Sequence, residues 1–307
     1  MICFRLSAIL LLLLFSASPA PVVTVWNAGQ SASGAVDLPE LVRQAVSNFR
    51  ARRQRAENYT YLKHGRFKRF DGRGKSSRWE TSTIETMFLH GVQDGRLIEY
   101  NGRPVPVEQQ KMQWEKLQEV INQHWETTNT SLPERAEFYY ERELHLPLEQ
   151  LPEFFNVVRT DEKVVDGRAN HCMKAVPKRG YNASNDDERD AQNFEMKICI
   201  DEKDKEINKV EAKLIGDAKL FNPVLVKIVS GSNTQKSVGD PNQIYLAGTS
   251  VIIEWTKIND EAWLPKYAYL KGRFKLLPGA KAFPEEGEAT YSDYKKFRVD
   301  TQIVPIP

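Results

Sequence analysis

The sequence predicts a mainly β protein of the α+β class, an antiparallel sheet with helices laid across one of its faces. Three observations carry that reading. Apolar and polar residues alternate with a period of two over long stretches, as in Lys75 to Leu89 and Gln243 to Ile258. Pairs such as Asp71-Gly72, Asp94-Gly95, Asn101-Gly102 and Asp166-Gly167 punctuate those stretches, and such pairs turn tight hairpins. Two apolar stripes of helical period arrive between strands instead of alternating with them one for one, which argues against a doubly wound parallel fold.

Composition sets the outer bounds. The 307 residues carry 43 Lys and Arg against 41 Asp and Glu, and 41% of them are hydrophobic, so the chain can bury a core and is neither disordered nor collagen-like. Cations and acids are mixed along the sequence and the net charge is +2, which leaves no electrostatic footprint for nucleic acid.

The N-terminus reads as an export signal. Arg5 precedes the apolar run Leu6 to Phe15, which is too short to span about 30 Å of hydrocarbon but matches a signal-peptide core. Residues 1–20 are therefore expected to be a signal peptide. Ser18-Pro19-Ala20 has small residues at the spacing for cleavage, yet Pro21 would follow the cut, so an uncleaved anchor reaching Trp26 stays open. Cys3 lies ahead of the apolar run, so no lipid-modified cysteine follows the leader. Residues 21–36 form a flexible mature N-terminus, and residues 37–307 a single domain.

Within that domain the first element is a helix. Asp37 is its N-cap, Pro39 sits in its first turn, and Leu38, Leu41, Val42, Ala45 and Phe49 share a face. It ends in Arg50, Arg52, Arg53 and Arg55, a basic cluster read as a solvated helix end. From Tyr59 the period becomes that of a strand, and a long hairpin folds about Asp71-Gly72. A helix over Val107 to Glu126, with Met112, Trp114, Leu117, Ile121 and Trp125 on one stripe, follows Pro104 and Pro106. A shorter helix is expected between Leu146 and Phe155. Tyr181 to Gln192 and Ser230 to Pro241 read as polar loops, and further turns fall at Asp201 to Asp204 and Asn259-Asp260.

Cleavage of a leader would leave two cysteines, Cys172 and Cys199, an even pair in an oxidising compartment. Alternation places both on the polar, solvent-side face of successive strands, where they bridge neighbouring antiparallel strands or stand as two free thiols. The lone His171 nearby does not supply a metal set.

Catalytic signatures are missing from the sequence. There is no P-loop, no G-x-G-x-x-G, no G-x-S-x-G, no H-E-x-x-H and no Cys-x-x-Cys. His64, His90, His124, His145 and His171 stand singly, and the paired carboxylates Glu285-Glu286 and Asp186-Asp187 fall in polar loops. No catalytic residue, metal or cofactor is expected. What the strands do carry is a surplus of aromatic side chains, which either complete an ordinary core or line a hollow that the helices cover incompletely.

Several segments together resemble a known family: the helix ending near Asn58-Tyr59-Thr60-Tyr61, D-G-R-L-I-E-Y-N-G-R-P-V at Asp94 to Val105, V-V-D-G-R-A at Val164 to Ala169, D-E-A-W-L-P-K at Asp260 to Lys266, and Y-S-D-Y-K-K-F-R-V at Tyr291 to Val299. They are similar to outer-membrane lipoprotein-sorting-like proteins of acidobacteria, related in architecture to the periplasmic lipoprotein carrier LolA. The resemblance implies an unclosed β-barrel, a strongly curved antiparallel sheet whose concave apolar face is lidded by helices and receives acyl chains. No single arginine here matches the lid-locking arginine of those carriers, and the helix over 107–126 is an insertion in their strand order.

The expected function is a non-enzymatic periplasmic carrier of a lipid or lipoprotein acyl chain with transient membrane contact. An envelope protein-interaction or sensor module on the same fold is the alternative, and a hydrolase the least favoured reading. The covering wall is assigned to Met112, Trp114, Leu117, Ile121 and Trp125, and the sheet wall to Trp79, Phe88, Phe138, Tyr140, Trp255 and Tyr267.

Overall fold

The structure is a computed structural model that describes residues 37–70, 76–89, 92–113, 115, 146–220, 227–228, 236–237, 243–276 and 279–296. The chain divides into Met1–Val36 and Asp37–Pro307, and every described residue belongs to the second unit. The expected signal peptide and flexible N-terminus lie outside the described residues, as do residues 116–126 of the expected long helix.

Helix α1 (Leu38–Ala56) starts where its cap chemistry dictates. The Asp37 side chain accepts from the Glu40 N–H at 3.3 Å, and the Asp37 carbonyl accepts the first helical bond from Leu41 at 2.9 Å. One stripe of α1, Leu41, Val42, Ala45 and Val46, is buried. Its basic end departs from expectation: Arg52 is buried, not solvated. Its guanidinium donates to Glu206 at 2.8 Å and to the Ile207 carbonyl. A charge this deep is retained because a carboxylate as buried as itself sits against it.

Strands β1 (Tyr59–Phe70), β2 (Ser76–Leu89), β3 (Val92–Tyr100) and β4 (Arg103–Pro104) follow. Residues 107–113 form helix α2. Next come the one-turn helix α3 (Leu151–Phe154), β5 (Phe155–Val165), β6 (Arg168–Pro177), helix α4 (Asp186–Ala191), β7 (Phe194–Asp201) and β8 (Ile207–Leu214). A separate two-stranded pair, β9 (Lys227–Ile228) with β10 (Lys236–Ser237), precedes β11 (Ile244–Tyr245), β12 (Ser250–Ile258), β13 (Ala262–Lys275) and β14 (Phe283–Lys296).

The main sheet has twelve strands in the order β4-β3-β2-β1-β14-β13-β12-β8-β7-β6-β5, with β11 added beside β13. Each neighbouring pair along it is antiparallel, and its ends, β4 and β5, do not pair with each other. The sheet is therefore unclosed. The β1–β14 pair joins the two ends of the described chain through nine registered residue pairs, so the N-terminal hairpin is held by residues more than 200 positions away. Among the described residues no helix is long and apolar enough to cross a membrane.

Turn chemistry explains the hairpins, and where it misleads the reason is local. Asn101 and Gly102 have φ of 50° and 73°, and Asp166 and Gly167 of 53° and 76°, the left-handed pairs that two-residue hairpins require. Asp94-Gly95 is not a turn. It lies inside β3 opposite Met87 and Thr86, and the glycine is there because a Cβ would come within 3.0 Å of Ile84 Cγ2. The single strand expected over Gln243 to Ile258 is divided by a turn at Ala247 and Gly248, where Gly248 takes a φ of 89°. The loop expected at Tyr181 to Gln192 contains α4, started by Asn185, whose side chain accepts from the Glu188 N–H. The helix expected over Leu146 to Phe155 contracts to α3.

The core lies on one face of the sheet, under α1 and α3. Met173 and Ala175 of β6, Phe194, Met196, Ile198 and Ile200 of β7, and Val210, Ala212 and Leu214 of β8 meet the buried stripe of α1. A second cluster, Ala56, Tyr59, Tyr61, Ala262 and Leu264, sits at the C-terminal end of α1. Cys172 and Cys199 are directly opposite across β6 and β7 and form a disulfide with a Cα–Cα distance of 4.1 Å. They occupy the face opposite Met173 and Ile198, as alternation predicts, but are 0% and 4% exposed. The position is flanked by Asp161 and Lys209 on the adjoining strands, with Lys197 ion-paired to Asp161 at 3.4 Å. Polar neighbours on a sheet face thus shield a small apolar bridge between them.

Candidate functional site

The inner face of the sheet, the one that carries the core, continues past α1 and α3 onto β13, β14, β1, β2 and β3. Register fixes what lies there. Ala268, Ala289, Gly65 and Ser82 are successive cross-strand neighbours, a row of small residues spanning four strands. Three strand spacings make that floor about 14 Å long. One side chain along toward the Tyr61 end is the row Tyr291, Lys63, Ile84 and Leu97. On the other side is the row Leu270, Gly287, Phe67 and Glu80. The two rows stand four residues apart on β1, so the furrow between Lys63 and Phe67 is about 13 Å across.

Phe67, Ile84 and Leu97 are half-buried and belong to neither core cluster. The Tyr61 end of the furrow is closed by aromatic packing, with ring centroids of Tyr61 and Tyr291 5.7 Å apart and of Tyr61 and Tyr294 5.9 Å apart. The Tyr294 hydroxyl donates to the Pro265 carbonyl at 2.6 Å, and burial pushes its phenol far above the usual tyrosine range. At the sheet edge α2 is tied to β3 by the Gln113 side-chain carbonyl, which accepts from the Leu97 N–H at 3.1 Å, while the Gln110 amide donates to the carbonyl of Val105 just ahead of the helix at 2.7 Å.

Register also sorts the residues assigned to the cavity from sequence. Trp255 faces inward, but into the core. Its ring packs edge-on against Phe49 at 6.0 Å, with the Arg52 guanidinium 4.7 Å above it. Burial pulls the Arg52 pKa down, and Glu206 opposes that pull. Trp79 lies opposite Lys68 and takes the outer face with it, under the cations of Arg66 and Lys68. Tyr267 lies opposite Glu254 on the same outer face, where burial and the charges of Glu288 and Glu254 raise its phenol pKa. Met112 on α2 is 54% exposed. Phe88 is in β2, but its side chain lies outside the described residues, as do Trp114, Leu117, Ile121, Trp125, Phe138 and Tyr140 altogether.

Of the furrow residues only Phe67 stood out from the sequence, as one of the surplus aromatics; Ile84, Leu97, Gly65, Ser82, Ala268 and Ala289 were not singled out. Their alternation was visible, but four separate strands contribute the floor, and only cross-strand register aligns them. The arrangement offers a trench with a small-residue floor and mainly apolar walls that carry one charge each, Lys63 and Glu80, and among the described residues no group of three or more His, Cys, Asp or Glu is placed to hold a metal.

No family model matches the chain, and no curated protein matches it. Among solved structures it is similar to a putative outer membrane lipoprotein-sorting protein domain from Vibrio parahaemolyticus, at 9% identity and a TM-score of 0.32 over 85% of this chain and 95% of that one. It is similar to a LolA superfamily protein from Nitrosomonas europaea, again at 9% identity and a TM-score of 0.32, over 86% and 96% of the two chains. The MucA/MucB complex of Pseudomonas aeruginosa matches at 10% identity and a TM-score of 0.24, over 83% of this chain and 99% of that one. With similarities of this size, the unclosed antiparallel sheet rests on the strand pairing itself.

Proposed function

We propose that the protein is a non-enzymatic periplasmic carrier that holds the acyl chain of a lipid or lipoprotein along the inner-face furrow. The observation that carries the reading is the set Phe67, Ile84 and Leu97, half-buried apolar side chains that flank a floor of Ala268, Ala289, Gly65 and Ser82 outside both core clusters. An acyl chain laid on that floor gains about 0.8 kcal/mol per methylene removed from water, and needs no polar partner along its length. The periplasmic part of the proposal rests on the export signal read at residues 1–20.

A second reading, an envelope protein-interaction module, has one observation in its favour. Among the described residues β5 is an end strand of the sheet, with Val158 62% and Val164 75% exposed, a place where a partner strand could add to the sheet. Native mass spectrometry of protein purified from an envelope fraction separates the two. A mass increment of lipid, lost on delipidation, supports the carrier, whereas a lipid-free mass together with a stoichiometric protein partner overturns it.

A further inference from the structure

The furrow is not uniform along its length. Its floor begins at Ala268 on β13 and ends at Ser82 on β2, and strand register decides what stands beyond each end. Beyond Ala268, on β12, the next residue in the row is Ile253, and Val251 lies opposite Leu270 in the wall row beside it. Val251 belongs to the main core and Ile253 packs against it, so this end of the furrow runs into apolar side chains. Beyond Ser82, on β3, the next residue in the row is Tyr100, which is 37% exposed.

Charge follows the same gradient. The wall residues on β13 and β14 are Leu270, Gly287 and Tyr291. The wall charges stand on β1 and β2: Lys63, opposite both Tyr291 and Ile84, and Glu80, opposite Phe67. Both are half-buried on the inner face. They are four positions apart along the strands and one strand apart across them, so their Cα atoms are about 14 Å apart, with Gly65 and Ser82 between them. The Tyr100 hydroxyl donates to the Glu80 carboxylate, which sets an acid beside a phenol ring at the β3 end of the floor. A carboxylate has about four acceptor sites, so it can hold this phenol and a ligand N–H together.

The chemistry of the two walls is complementary to a head that carries both signs. A carboxylate beside an aromatic ring recognises an ammonium, and a lysine on the facing wall recognises a phosphate. A head of one sign brings a like charge against one wall or the other, which lowers its affinity. The apolar end of the furrow, toward Ile253, is where an acyl chain removes most surface from water. We infer that the furrow takes a phospholipid with an ethanolamine-type head, its phosphate toward Lys63, its primary ammonium toward Glu80 and Tyr100, and its acyl chain along the floor toward Ile253. This inference rests on the furrow reading proposed above and adds to it a headgroup and a direction.

The test is isothermal titration calorimetry of the purified protein with three single-chain lipids that share one acyl chain and are kept below their micelle concentrations. They are lysophosphatidylethanolamine, lysophosphatidylglycerol and an uncharged monoacylglycerol. The ethanolamine lipid is expected to bind about tenfold more tightly than the glycerol lipid, the worth of one hydrogen-bonded charge. Glu80→Gln keeps an acceptor for the Tyr100 hydroxyl and abolishes that preference. Tyr100→Leu reduces it, and Lys63→Met weakens both phospholipids by about tenfold. All three variants keep the wild-type affinity for monoacylglycerol. Should Lys63→Met lower the melting temperature, Glu80→Gln decides the question alone. Monoacylglycerol binding together with equal affinity for the two phospholipids, or a preference that survives Glu80→Gln, overturns the headgroup assignment and leaves the furrow reading standing. Failure of all three lipids to bind overturns the furrow reading and this inference with it.

Discussion

Substituting Ser82→Trp tests the furrow where its walls are fixed by register. Ser82 is half-buried, faces inward, and neighbours Gly65, whose missing side chain leaves its hydroxyl 3.2 Å from where a Cβ would stand. An indole at this position can lie over Gly65 toward Ala289 without displacing either core cluster. It would occupy about 150 Å² of apolar surface otherwise available to an acyl chain. At about 25 cal/mol per Å² this removes about 4 kcal/mol of ligand burial, or about 500-fold in affinity. The assay is titration of a fluorescent fatty acid into wild type, Ser82→Trp and Ser82→Ala, with thermal unfolding of each to show that the fold is kept. Ser82→Ala should bind as wild type does, because the floor stays small. A folded Ser82→Trp protein with wild-type affinity would refute the furrow as the acyl site.

Other predictions concern the frame that holds the furrow open. Replacing both Cys172 and Cys199 by alanine releases a bridge across 27 positions, and urea denaturation should show a loss of about 3–4 kcal/mol, reproduced by reductant in the wild type. Glu206→Gln removes the carboxylate between Arg52 and Arg55 and leaves the Arg52 charge buried without a counterion, for a loss of about 3–5 kcal/mol by the same method; an unchanged midpoint would contradict the buried pair. Gly272→Ala should cost about 1–3 kcal/mol, because its Cβ would stand 2.2 Å from the Oγ1 of Thr249, a side chain tied to the Leu246 carbonyl. The Asp201 carboxyl titrates below the usual range. Burial alone would raise it, but the Arg168 guanidinium and the N–H groups of Asp204 and Lys203 outweigh burial. Its contribution to stability is full above about pH 4, where the unfolded carboxyl is ionised, and is lost as pH falls through the lower folded value. Asp201→Asn should therefore flatten the acid limb of a stability–pH curve.

The period of each segment, the turn pairs and the capping residues are local properties, and they were legible in order along the chain. They predicted α1 from Asp37, the β1–β2 and β5–β6 hairpins, the left-handed turns at Asn101-Gly102 and Asp166-Gly167, and the placement of Cys172 and Cys199 on one face of adjacent strands. Local signals misled where a residue served a distant one. Gly95 looks like a turn but makes room for Ile84, and Arg52 looks like a solvated helix end but answers Glu206, 154 positions away. The cavity assignments divided for the same reason. Size and aromaticity pointed to Trp79, Trp255 and Tyr267, but two of these fall on the outer face and the third packs against α1.

The sequence by itself determined an antiparallel sheet with covering helices, because side-chain alternation and turn preference act within a few residues. Only the tertiary structure decided which strands are neighbours. That choice sets four small residues from β13, β14, β1 and β2 in one row, and it turns the β1–β2 and β13–β14 hairpins toward the same end of the sheet. Both are consequences of the β1–β14 pairing, which closes a loop of more than 200 residues, and a one-residue slip there would move every side chain of the N-terminal hairpin to the other face.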